Sequence, residues 1–145
     1  MSSPCPQCGG IYSDSAVRCA DRFAVLLALD HSRREPWGSR HGLAFAAYTL
    51  QHPGGIPAER LERCWAALQR VYVAGDDYTR VFEALRHRPP AHLADWGIPP
   101  LPPLPDASHY SVTLADLGDF AAESYAADLD RWCRAVLRAW EPVSP

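Results

Sequence analysis

Lysine is missing from this chain; all fourteen of its basic side chains are arginine. The bias fits a GC-rich coding genome better than any physical demand, but it has a chemical consequence. Schiff-base chemistry and a lysine general base are excluded. An excess of positive charge is missing too. The formal net charge is -3, so no global field draws the chain to nucleic acid or to a membrane surface, and neither is expected as a partner. No stretch approaches the roughly 20 apolar residues of a membrane span. No apolar run of the kind a secretion signal needs follows Met1, which gives the cytoplasm as the expected compartment. Glycine-rich phosphate loops, a G-x-S-x-G elbow and an H-E-x-x-H helix are all absent. So are internal repeats and any convincing strand.

What remains is a chain of 145 residues with 48% apolar content, enough to bury a core and of a length that fits a single domain over 1–145. The periodicity predicts an all-α fold, a small bundle of five or six helices. Its irregular N-terminus spans residues 1–16, and a proline-rich segment crosses it at 89–106. The first helix is expected from about Ser15 to His31, with Ser13, Asp14 or Ser15 as N-cap and Val17, Phe23, Leu26, Leu27 and Asp30 near one face. A second, from near His41 to Gln51, is apolar around most of its circumference, so Leu43, Phe45, Tyr48 and Leu50 are expected to be buried. His52-Pro53-Gly54-Gly55 stops it. A third helix opens at Pro57 and ends at Gly75. A fourth starts at Asp76 or Asp77 and turns Val81, Phe82 and Leu85 inward. Seven prolines lie in residues 89–106, a stiff extended strap that packs Trp96, Ile98, Leu101 and Leu104 along the domain, or else a PxxP ligand for an aromatic groove. The last helical region is capped by Thr113 or Asp116 and runs to about Trp140, with Phe120, Leu129, Trp132 and Cys133 on its inner stripe.

The five cysteines carry the chemistry. An odd count with a Cys-x-x-Cys spacing, in a chain expected in the cytoplasm, points to metal or redox use rather than a disulfide framework. A thioredoxin-like redox pair needs a βαβ context, which is absent. Residues 1–16 hold too little apolar surface to order themselves by burial, so a metal or a disulfide is needed to hold them. Cys5 and Cys8 supply two adjacent corners of a zinc tetrahedron. Cys19, eleven residues on, is the third. For the fourth, two helices joined by a short connection pack antiparallel, which brings the start of the first to the end of the second. His52 stands there, while His41 lies roughly 16 Å away along a continuous helix. His52 is therefore chosen, with Asp21 and water as competitors. A closed Cys3His set is structural, because it has no open position. Cys64 and Cys133 fall on apolar helix faces and read as small core residues.

At the other end of the same hairpin, Asp30, His31 and His41 converge, and Glu123 and Tyr125 of the last helix are placed to complete a pocket. An acid and two imidazoles can hold a metal or move protons. The plainer account makes His31 a residue favoured by the helix dipole and His41 a hydrogen-bond partner of Asp30. His87, His92 and His109 sit in polar loops.

Cys5-x-x-Cys8-Gly, Cys19-x-x-x-Phe23-x-x-x-Leu27-Ala28-x-Asp30 and His41-x-Leu43-x-x-x-x-Tyr48-x-x-Gln51-His52-Pro53 together resemble an uncharacterised bacterial family known only as a domain of unknown function. The similarity spans nearly the whole chain and includes the final helix, Trp132 to Trp140. It implies that the cysteines, Asp30 and both histidines recur in the family. It also implies a departure, since family members often carry a histidine where this chain has Tyr125. If that histidine joins an active pocket, the activity is lost or altered here. The resemblance supplies no established activity.

Two functions follow from different classes. One is an accessory or binding protein whose zinc is structural, its apolar helices and strap meeting a protein partner or a second copy as a homodimer. The other is a small-molecule enzyme, its pocket between the first, second and last helices. There His41 would be the base or a second-metal ligand, Asp30 would orient it, and Tyr125 and Glu123 would lie nearby.

Overall fold

The computed structural model describes residues 3–142. Among them there are five α-helices, four short 3-10 turns and no strand. The helices are α1 (Cys19–His31), α2 (His41–Gln51), α3 (Ala58–Tyr72), α4 (Tyr78–His87) and α5 (Tyr125–Trp140). None of them is long and apolar enough to cross a membrane.

The α1–α2 hairpin sets the frame. α1 begins later than the polar run before it suggests. Asp14 is spent on a tight turn, accepting from the Ala16 N–H at 2.9 Å. The helix starts at Cys19 instead, where the Asp21 carboxylate reaches back to the Arg18 N–H at 2.9 Å. That carboxylate satisfies an orphan amide and suits the positive end of the helix dipole. Along the hairpin, Cys19 meets His52, Phe23 stacks on Tyr48 with ring centroids 3.9 Å apart, and Asp30 meets His41. Each step along α1 is answered by an equal step back along α2, first four residues and then seven. These are same-face helical intervals, so one stripe of each helix makes all three meetings.

α2 also packs on α3 and α5, and α4 packs on α3. Five apolar side chains of α2, Leu43, Ala44, Ala46, Ala47 and Leu50, are almost wholly buried, but Phe45 is 39% exposed. The helix is apolar on more of its surface than its neighbours cover. Gly42 lets α4 come close: a Cβ there would meet the Phe82 ring at 2.8 Å.

The last helical region is shorter than its apolar stripe predicts. Thr113 and Asp116 close a 3-10 turn over Leu114–Leu117, and α5 starts only at Tyr125. Between them Phe120 takes φ 60° while its ring is 1% exposed. A left-handed conformation costs a non-glycine residue roughly 1–2 kcal/mol. The bend turns that ring edge-on to Tyr125 at 6.4 Å and presents its carbonyl to the Trp37 indole N–H at 2.8 Å. The strap is pinned by two backbone carbonyls, Pro99 accepting from Trp65 Nε1 at 2.9 Å and Trp96 from Arg70 Nη1 at 3.1 Å. Ile98 is buried and Leu101 half-buried, but Leu104 is 62% exposed and does not pack as expected.

Candidate metal centre

Cys5 and Cys8 lie on a tight turn. The Gly9 N–H donates to the Cys5 carbonyl at 2.8 Å, and the Cys5 N–H to the Gly10 carbonyl at 2.9 Å. Gly9 closes the turn at φ +81°, where a side chain would be strained. The turn directs the Gly10 N–H at Cys8 Sγ, 3.3 Å away. Gln7 ties the same turn to the end of α2, its Oε1 accepting from the Gly54 N–H at 2.8 Å.

The end of α2 is held by buried polar groups. Gln51 is fully buried and used at both ends: it donates to the Val112 carbonyl at 2.7 Å and accepts from Trp132 Nε1 at 2.8 Å. The Leu50 carbonyl accepts from Tyr110 Oη and from Trp140 Nε1, at 3.0 and 3.1 Å. His52 follows directly and is fixed in turn. Its ring stacks on Tyr48 at 4.2 Å, which stacks on Phe23. Its Nδ1 lies 2.9 Å from the Tyr48 carbonyl. A carbonyl can only accept, so Nδ1 carries the hydrogen and Nε2 holds a lone pair. That Nε2 is buried and has no hydrogen-bond partner among the described residues.

At most 4.8 Å separates any two of the ligand atoms of Cys5, Cys8, Cys19 and His52. Cys8 Sγ and Cys19 Sγ are 3.7 Å apart. Two sulfurs at about 2.3 Å from one tetrahedral ion stand about 3.8 Å from each other. All five cysteines are free thiols. The group can therefore hold a metal ion, and three properties favour this: the sulfur spacing, the unpartnered Nε2, and a donor set of three sulfurs and one imidazole that suits a borderline or soft cation. Asp21 is exposed and engaged at the α1 cap, so it does not compete for the fourth place.

Electrostatics already favour a thiolate. Cys19 is pulled down to about 4, first by the hydrogen bond with Cys8 and also by the Tyr12 hydroxyl, against the cost of burial. Cys8 is pushed up by that same hydrogen bond and by burial. Tyr12 Oη donates to Cys19 Sγ at 3.2 Å. Burial raises Cys64 to about 11 and Cys133 to about 12, so these two remain neutral core thiols.

At the far end, His41 Nδ1 lies 3.0 Å from Asp30 Oδ2, and the His31 and His41 rings are tilted with centroids 5.3 Å apart. Tyr125 is wholly buried and close enough for the Asp30 charge to help raise its hydroxyl, burial being the larger cause. Glu123 is exposed, with no hydrogen bond to Asp30 or His41 among the described residues. The cavity that His41 lines is not the one expected between the first, second and last helices. It lies among α2, α3 and α4, whereas on the α5 side the Tyr125 ring is wholly buried against Trp37 and Phe120. Gln7, Tyr12 and Gln51 also shape the metal centre, and of the three only Gln51 carries a sequence signal, the Gln51-His52-Pro53 run.

No curated protein and no solved structure matches this chain. One family model does, over residues 3–141, and its description is a family of unknown function, DUF5946. With nearly its whole length matched, the chain belongs to that family.

Proposed function

We propose that Cys5, Cys8, Cys19 and His52 form a structural zinc site, and that the chain is a zinc-stapled helical scaffold serving as an accessory or binding protein. The observation that carries this is the unpartnered, buried Nε2 of His52 beside three thiols. Four protein donors leave no open position, the mark of a structural rather than a catalytic ion. Zinc suits the mixed sulfur and imidazole set. The segment before α1 has few buried apolar side chains of its own, so the ion supplies its order, and metal affinity becomes folding free energy. The test is chelation. Stripping zinc should lower the melting temperature and expose the first sixteen residues to protease. A verified metal-free chain with an unchanged melt would refute the staple. The partner is a protein surface or a second copy of the chain in the cytoplasm, which sedimentation with and without zinc examines.

A second reading, small-molecule chemistry at His41, draws on the Asp30–His41 pair, a buried carboxylate on a half-exposed imidazole. One zinc per chain with no ligand at His41 favours the scaffold alone.

A further inference from the structure

The Asp30 carboxylate is completely buried, while the His41 side chain is 39% exposed. A buried carboxylate is costly unless it is paired. Oδ2 has the His41 ring, but Oδ1 and the nearby Tyr125 hydroxyl have no hydrogen-bond partner among the described residues. A carboxylate oxygen facing a ring nitrogen accepts, so Asp30 fixes a hydrogen on Nδ1; in the neutral tautomer that this selects, Nε2 carries the lone pair and is the acceptor.

His41 lines a cavity of about 820 Å³ among α2, α3 and α4, within the size range of small-molecule sites. The wall charges run against the charge of the chain. Three arginines, Arg60, Arg63 and Arg86, line the cavity and no acid does, although the chain is net -3. Arg63 is paired with Glu59 at 3.0 Å. Arg60 and Arg86 have no ion-pair partner among the described residues. Phe45, Tyr78 and Phe82 supply aromatic surface to the same cavity. A site of this kind offers flat apolar walls, unneutralised guanidinium groups and one oriented acceptor.

We infer that this cavity binds a small organic anion with a planar aromatic body. Its carboxylate or phosphate pairs with Arg60 and Arg86, its ring lies among Phe45, Tyr78 and Phe82, and a hydroxyl or N–H donates to His41 Nε2. Guanidinium groups bind such anions through charge-assisted hydrogen bonds. The inference rests on the second reading above and supplies its ligand class; it does not depend on the zinc staple.

The experiment is isothermal titration of the zinc-replete chain with a hydroxynaphthoate, using the matching uncharged hydroxynaphthamide as control. One saturable site is expected for the acid. The amide, and the acid against the exposed double variant Arg60→Ala/Arg86→Ala, should each bind about tenfold more weakly or worse, the loss expected of a charged hydrogen bond. Absence of saturable binding, equal affinity for the amide, or an unaffected double variant would overturn the ligand class. Proton–nitrogen correlation of the His41 ring in alkaline solution is the separate arm. A hydrogen on Nδ1 supports the oriented acceptor, and one on Nε2 removes both the acceptor and the reading beneath it.

Discussion

The two ends of the α1–α2 hairpin are built alike and do different things. At each, a side chain from the start of one helix meets one from the end of the other, and each meeting includes a histidine whose Nδ1 has a fixed partner. At the Cys19–His52 end that partner is a backbone carbonyl, the imidazole is 8% exposed, and its remaining nitrogen points among three thiols. At the Asp30–His41 end the partner is a buried carboxylate, and the ring borders an open cavity. Enclosure decides the difference. A closed donor set suits an ion that holds structure, whereas an exposed nitrogen backed by a buried acid suits a ligand that comes and goes.

The comparison breaks most visibly at Cys19. Cys19→Ser should abolish metal binding and cost upward of about 4 kcal/mol in denaturant unfolding, in the range that loss of a metal reaches. Lowering the pH should mimic it, because protons compete with the ion for the thiolates. At the other end His41→Ala should cost about 1–3 kcal/mol, the penalty for leaving Asp30 buried without its partner, and should leave metal content unchanged. Gly42→Ala should cost about 1 kcal/mol by driving a methyl group into the Phe82 ring. That change should disturb the cavity and spare the metal, which zinc content and titration together would reveal. Leu104→Ser should stay within about 0.5 kcal/mol, since an exposed side chain has little packing to lose.

The gathering of Cys5, Cys8, Cys19 and His52 was legible from sequence because covalent spacing and helix geometry constrain it. Cys-x-x-Cys is local, and an antiparallel hairpin brings the start of one helix to the end of the next, which is how His52 could be separated from His41. The Asp30–His41 pairing followed from the same hairpin. The cavity could not be placed that way. It depends on the close approach of α4 to Gly42 and on the burial of Tyr125 against Trp37 and Phe120, both long-range packing outcomes. The start of α1 was misplaced because three polar residues in a row each suit a cap, while the operative carboxylate, Asp21, reaches back from inside the helix. Phe120 in a left-handed bend is invisible to periodicity, since its apolar character fits the stripe that its backbone interrupts. Phe45 and Leu104 remain exposed because apolar character permits burial without requiring it.

X-ray absorption at the zinc edge on the purified chain tests the staple most directly. One zinc per chain is expected, with three sulfurs at about 2.3 Å and one nitrogen at about 2.0–2.1 Å, the nitrogen shell disappearing in His52→Ala. A shell of oxygens, a fourth sulfur in place of nitrogen, or a nitrogen shell that survives His52→Ala would contradict it.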